Sequence, residues 1–209
     1  MQSRKILGTL AAALALVGCA YNVDVPPELR VSDALTTPVS QREVYIVLGH
    51  SFSDAKAEVT SGAECSYYTF KMSIEDSLKE SIKQTAKAIY PNAIFVDGKF
   101  PTDGDGLVLS FELGDFYPTI RFISGIVTDT AIANVDLNIR VRILNQAGRE
   151  IGGSTLLFGQ GHVSDEYTFC PGGSRLLSKA GTEAVRAAMQ SFTRFAIRST
   201  MIDAGATPQ

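Results

Sequence analysis

The chain has 209 residues, of which 45% are hydrophobic and 20% are charged, a composition typical of an ordinary globular domain. A chain of this length can bury one sizeable core but is short for two independent ones. Its formal net charge is −3, and this slightly acidic balance argues against general nucleic-acid binding, which needs a basic face. The sequence therefore predicts a single domain with no nucleic acid among its partners.

Residues 1–18 have the features of an export signal. Arg4 and Lys5 supply a positive start, and residues 6–17 form an apolar run. As a helix this run would span roughly 18 Å, which is short of a bilayer core of about 30 Å. No later stretch reaches 18 uncharged apolar residues. We therefore predict a signal peptide over 1–18 and no transmembrane helix in the mature chain.

The end of this segment, Leu16-Val17-Gly18-Cys19, resembles the bacterial lipobox. The resemblance implies cleavage before Cys19, diacylglycerol on its sulfur, and acylation of its new amino group by palmitate or a similar chain. Two or three acyl chains anchor a protein stably to a membrane. Ala20, which follows the cysteine, implies by the same resemblance the periplasmic face of the outer membrane. The alternative is an ordinary secretory peptide that happens to contain a cysteine.

The mature chain is expected to consist of a tether, a domain and a tail. Residues 19–42 contain three prolines and no sustained hydrophobic period, which predicts a lipidated N-terminus followed by a flexible tether. Residues 43–200 carry the patterns of a folded periplasmic domain. Residues 201–209 are expected to form a disordered tail.

Hydrophobic periodicity predicts elements in the order β-α-β-β-β-β-α. The expected strands cover about 44–48, 93–96, 107–113, 131–144 and 151–163, and the expected helices about 73–89 and 174–199. Ser73 and Asp76 approximate a capping box for the first helix, and the polar residues 49–66 predict a loop. This order predicts an α+β domain with a mostly antiparallel sheet of four to five strands and two helices on one face.

Two further cysteines, Cys65 and Cys170, remain once Cys19 is assigned to lipid. An even pair in an exported protein favours a disulfide. Each cysteine lies just upstream of a predicted helix, so the bridge is expected to hold two helix starts together. Free thiols and metal ligation are the alternatives. Neither cysteine belongs to a C-x-x-C motif, and His50 and His162 are the only histidines, so we predict no metal and no cofactor.

No motif of a known reaction class is present in the sequence. A G-x-S-x-G elbow, an H-E-x-x-H helix and a phosphate-binding G-x-x-x-x-G-K-[ST] loop are all missing. His50 and His162 could flank one edge of the sheet, but histidines near strand ends are more often polar surface residues. The sequence therefore predicts a protein that is not an enzyme.

An apolar stretch over 115–130 supplies candidate partner-binding residues. They are Phe116, Tyr117, Ile120, Phe122 and Ile123. The stretch is either a strand end and loop folded over the core, or an apolar projection that meets a partner or a lipid headgroup layer.

A polar row on the predicted strand 131–144 supplies candidate ligand-binding residues. Asn138, Arg140 and Arg142 alternate with apolar residues and so share one face of the strand. This row is either a solvated sheet face or a site for phosphate or carboxylate groups of an envelope glycolipid or peptidoglycan.

The layout of lipidated cysteine, short tether and sheet with two helices is similar to that of small outer-membrane lipoproteins of Gram-negative bacteria. These include the lipopolysaccharide-assembly lipoprotein that plugs a β-barrel translocon, and accessory lipoproteins of transport machines. The resemblance implies a non-enzymatic binding or assembly accessory of an outer-membrane, transport or secretion complex. The resemblance assigns no binding residues to this chain, because the assembly lipoprotein is not marked by a cysteine pair like Cys65 and Cys170. The alternative function is binding of a glycolipid or peptidoglycan through the polar sheet face.

Overall fold

A computed structural model describes residues 19–27, 43–62, 64–96, 106–126, 128–167 and 169–203, with the backbone alone over 200–203. The expected signal peptide, residues 28–42 of the expected tether and residues 204–209 of the expected tail lie outside these ranges. Within the described ranges, no helix combines the length and the apolar character that crossing a membrane requires.

The described elements are eight strands and two α-helices, which confirms the α+β class. The strands are β1 (Cys19–Asp24), β2 (Val44–Leu48), β3 (Lys56–Thr60), β4 (Tyr68–Ser73), β5 (Ala93–Val96), β6 (Leu107–Ile123), β7 (Thr130–Leu144) and β8 (Glu150–Glu166). The helices are α1 (Glu75–Ile89) and α2 (Gly173–Asp203), with 3-10 turns at His50–Asp54 and Cys170–Gly172.

A five-stranded sheet with the order β5-β2-β6-β7-β8 forms the larger layer. Strands β6, β7 and β8 form an antiparallel meander, in agreement with the predicted antiparallel pairing. In contrast, β2 lies parallel to both of its neighbours, β5 and β6, so the sheet is mostly but not purely antiparallel. The reason is that β3, β4 and α1 intervene between β2 and β5, and such a long crossover permits a parallel return.

A smaller sheet with the order β1-β4-β3 was not expected from the sequence. Residues 19–24, predicted as the start of a flexible tether, instead form β1 and pair in parallel with β4. Residues 56–60, predicted as loop, form β3 and pair with β4 from the other side. Local pattern does not reveal β1, because its partner lies far away along the chain. The short β3 alternates polar and apolar residues and pairs with β4 close by in the sequence, and the loop prediction overlooked this alternation.

Helix α1 buries the predicted apolar face. Its buried residues include Leu78, Ile82, Ala86 and Ile89. The predicted capping box is wrong, because the helix begins at Glu75 and no side chain caps it. Ser73 is instead the last residue of β4, where it stands opposite Lys56 of β3.

Helix α2 lies directly on β8, because small residues of both segments allow their backbones to come close together. A Cβ added to Gly159 would lie 2.1 Å from the carbonyl oxygen of Ala184, and one added to Gly161 would lie 1.8 Å from that of Ala180. Only glycine allows this approach of helix and strand backbones. The helix continues to Asp203, so residues 201–203 are helical and not part of a disordered tail.

The predicted Cys65–Cys170 disulfide is confirmed, with Cα atoms 5.7 Å apart. Cys170 precedes α2 as expected, but Cys65 precedes β4 and not a helix. The bridge therefore joins the start of α2 to the start of the small sheet. Cys65 has φ = 61°, in the left-handed region that costs a non-glycine residue roughly 1 kcal/mol.

Candidate binding face of the five-stranded sheet

The five-stranded sheet has one face turned towards α2 and one turned away, which we call the outward face. Alternate residues of β7 belong to the core, among them Leu137, Ile139 and Val141. The residues between them point to the outward face. The structure thus places Asn138, Arg140 and Arg142 on the outward face, in one row.

Asn138 is committed to holding a β-bulge in the neighbouring strand. Its Oδ1 accepts a hydrogen bond from the backbone N–H of Asp115 at 2.9 Å, and its Nδ2 donates to Asp115 Oδ2 at 2.6 Å. The pairing of β6 with β7 shifts register at this point, between Leu113 and Phe116. Its polar atoms therefore serve the fold, because the bulge leaves backbone groups without ladder partners.

Arg142 is also engaged, through an ion pair with the Glu112 carboxylate on β6. Arg140 stands directly opposite Glu112 in the strand register, but that carboxylate is taken by Arg142. In the part of the chain that the structure describes, Arg140 has no ion-pair partner. Of the three predicted ligand residues, Arg140 alone keeps its charged group free on the outward face.

Two exposed apolar side chains of β8 border Arg140. Leu156 lies opposite Arg140 and is 43% exposed, and Phe158 lies opposite Asn138 and is 60% exposed. A shallow groove of about 570 Å³ runs between these side chains, both arginines and Glu150. The groove thus combines a free guanidinium with apolar walls. Glu150 offsets part of the positive charge of the two arginines in the groove. An acidic group of a ligand would therefore have to contact the Arg140 guanidinium directly.

The open edge of β8 is partly covered by side chains of α2. Ser191 Oγ donates to the carbonyl oxygen of Phe158 at 3.2 Å, and the backbone N–H of His162 donates to Glu183 Oε2 at 3.3 Å. These backbone groups point away from β7, because alternate residues of an antiparallel edge strand face its open side. A strand of a partner protein that paired with β8 along this stretch would have to displace both contacts. The outward face is therefore the more accessible binding surface.

The predicted partner-binding residues of β6 do not share one surface. Tyr117 and Ile123 are exposed, whereas Ile120 and Phe122 are buried in the core and Phe116 packs against it. The alternation of a strand sends neighbouring side chains to opposite faces. The burial of Ile120 and Phe122 fits the alternative of a strand end folded over the core. Leu156 and Phe158 were missed, although they alternate with the buried Leu157 and with Gly159, which faces α2.

The two histidines lie far apart along the sheet. His50 follows Gly49, whose backbone N–H donates to the carbonyl oxygen of Phe111 on β6. Across β7, Phe111 lies level with Thr155 of β8. His162 lies seven residues beyond Thr155, or roughly 23 Å along the strand. Its Nδ1 is 2.6 Å from Asn134 Oδ1. A shared histidine site is therefore not formed, and the absence of enzymatic activity stays a prediction.

Comparisons with known proteins bear on the fold alone. No family model matches the sequence, and no curated protein matches it. Among solved structures, the chain is similar to protein XCC0632 from Xanthomonas campestris, which is assigned to family model DUF330. The TM-score is 0.50 and the sequence identity is 9%, and the match covers 90% of this chain and 99% of that one. Two weaker likenesses are to proteins described as lipoproteins. A minor lipoprotein from Acinetobacter baumannii has a TM-score of 0.39 and 16% identity over 82% and 100% of the two chains. Uncharacterized lipoprotein B from Nitrosomonas europaea has a TM-score of 0.40 and 10% identity over 78% and 89%. The first likeness shows that the chain shares an α+β fold with a protein of distant sequence.

Proposed function

We propose that the protein is a lipid-anchored envelope protein, and not an enzyme, whose periplasmic domain binds another envelope protein. In this role it serves an outer-membrane, transport or secretion complex as an accessory. The lipobox at residues 16–19 supports the anchor. The observation that carries the binding function is the exposed pair Leu156 and Phe158 beside the unpaired Arg140.

This combination of side chains is typical of the centre of a protein interface. Aromatic residues and arginine are enriched there, and a few of them contribute most of the binding energy. Phe158 is held by β8, which pairs with β7 along most of its length. Its backbone therefore needs little ordering on binding, and this lowers the entropic cost of association.

Replacing Cys19 by alanine is expected to remove the acyl label and release the protein from the membrane fraction, since the anchor resides in the lipid on this sulfur. Membrane fractionation with metabolic acyl labelling measures both effects. The double change of Cys65 and Cys170 to serine is the matched control and should keep the label. Continued fractionation of Cys19→Ala with the membrane, together with an unlabelled wild type, would show that the anchor is not at this residue.

Binding through the outward face predicts a site-specific crosslink in cells. A photoreactive amino acid at Gln160, which is exposed beside Phe158, is expected to give one discrete protein adduct. Phe158→Asp should abolish that adduct, because a carboxylate cannot replace a buried aromatic contact. The same photoreactive group at Ile94, on the opposite edge strand β5, is the control. An adduct that survives Phe158→Asp would rule out this face as the interface.

A second candidate function is binding of an acidic glycolipid or peptidoglycan, which the free guanidinium of Arg140 favours. Arg140→Ala is then expected to lower retention of the protein on lipid A vesicles or isolated peptidoglycan by about tenfold, the effect of losing one charge-assisted hydrogen bond. Arg121→Ala is the matched control, since Arg121 is exposed on β6 and does not line the groove. Equal retention of both variants and the wild type would exclude this function.

A further inference from the structure

One end of the domain contains the proposed lipid attachment point. Strand β1 begins at Cys19, which is exposed and stands opposite Tyr68, the first residue of β4. Strand β3 ends at Thr60, opposite Thr69, and so reaches the same end of the small sheet. We call this part of the domain the Cys19 end.

The large sheet reaches the Cys19 end as well. The disulfide and Tyr167, which follows β8, make this connection. The Tyr167 backbone N–H donates to the carbonyl oxygen of Asp129, before β7, at 3.0 Å. Its hydroxyl donates to Glu64 Oε2, next to Cys65, at 3.2 Å. The last residues of β6 and the first of β7 therefore lie beside the turn that precedes β4.

Exposed apolar side chains surround the Cys19 end. Tyr67 and Phe169 flank the two bridged cysteines in the sequence and are each 74% exposed. Ile123 and Ile126 are exposed where β6 turns towards β7. These four residues, which we call the apolar rim, are all largely exposed, and exposed apolar groups gathered at one place mark an interaction surface.

We propose that the apolar rim lies in the lipid headgroup layer and seats the domain directly on the membrane. This inference rests on the proposed lipidation of Cys19. Because Cys19 is itself the first residue of β1, no tether separates its acyl chains from the folded domain. Its lipid would hold the Cys19 end at the membrane surface. Tyrosine and phenylalanine at this depth bury apolar ring surface among the headgroups.

The charges at the Cys19 end indicate that neutral lipid is the partner. Glu64, Asp129 and Glu166 lie beside the rim, as the Tyr167 contacts and the pairing of Thr130 with Glu166 show. They outnumber the nearby basic groups Arg121 and Arg175, the second of which is paired with Asp165. Carboxylates close to the surface are repelled by anionic headgroups. The contact therefore relies on apolar burial, and zwitterionic phosphatidylcholine vesicles are the appropriate probe.

The experiment uses the full lipidated protein with a polarity-sensitive fluorophore at one introduced cysteine. Ile126→Cys labels the rim, and Ile151→Cys is the matched control, since Ile151 is also exposed but lies on β8 next to the β7–β8 turn, at the far end of the sheet. After flotation with the vesicles, the label at position 126 is expected to shift to shorter emission wavelengths. Its quenching by spin-labelled lipid should be several-fold stronger than at position 151.

The outcomes separate this inference from the proposed anchor. A protein that does not float with the vesicles lacks the anchor, which overturns the proposed function and this inference with it. Flotation with equal, weak quenching at both positions overturns the inference alone. An emission shift at position 126 that grows with protein concentration and is insensitive to the lipid quencher assigns the rim to a second copy of the chain, which also overturns it.

Discussion

Replacing Cys65 and Cys170 together by serine is expected to lower the free energy of unfolding by about 4–5 kcal/mol, on the chain-entropy account of disulfides. The bridge spans a sequence separation of 105, and a loop of this length loses much entropy when the unfolded chain is crosslinked. The loss would be a large part of the 5–15 kcal/mol by which domains are typically stable. Urea unfolding followed by circular dichroism measures it, since the sequence has no tryptophan.

The matched control for this pair is the wild type after reduction, which should unfold at the same urea concentration as the double variant. Cys19→Ser is a second control, because Cys19 is exposed and outside the bridge. A loss below about 1 kcal/mol for the double variant would mean that the unfolded chain is already constrained, or that the bridge is not formed.

Gly161→Ala is expected to lower the free energy of unfolding by about 2–3 kcal/mol, because it overpacks a tight backbone contact. The added methyl group would lie 1.8 Å from the carbonyl oxygen of Ala180, and no rotamer change can relieve a clash with backbone. Helix α2 would have to move away from β8, which opens the core beneath it. The same unfolding measurement checks the expected loss.

Gly172→Ala is the matched control for this substitution. Gly172 lies just before α2, and no atom is within 4 Å of the Cβ that alanine would add. Its substitution should change the free energy of unfolding by no more than about 0.5 kcal/mol. Equal effects at the two glycines would show that α2 does not lie as close to β8 as the structure has it.

Helix α1 and strand β7 could be predicted from the sequence because each buries one face against the core. A buried face imposes a period of 3.6 residues on a helix and of two on a strand. Ile82 and Ile89 on α1, and Val135 and Ile139 on β7, follow these periods and are all fully buried. The disulfide was predictable on other grounds, namely the expected export of the chain and the even pair of cysteines that remains once Cys19 is set aside.

The small sheet and the free charge on the outward face could not be predicted in this way. Strand β1 exists because β4 offers it a partner more than 40 positions further along the chain. Arg140 is free because Arg142 takes Glu112 and because Asn138 holds the bulge at Asp115. Arg140 and Arg142 have the same local pattern, so only their neighbours in space distinguish them.

The sequence by itself determined which residues are buried along α1 and β7, favoured a disulfide between the two later cysteines, and marked Cys19 as the candidate for lipid. The tertiary structure decided which side chains remain available for binding. It also brought Cys19, the disulfide and the β6–β7 turn to one end of the domain. The physical reason is that burial follows a short-range period along the chain, whereas strand pairing and ion pairing depend on distances between residues that the chain keeps far apart.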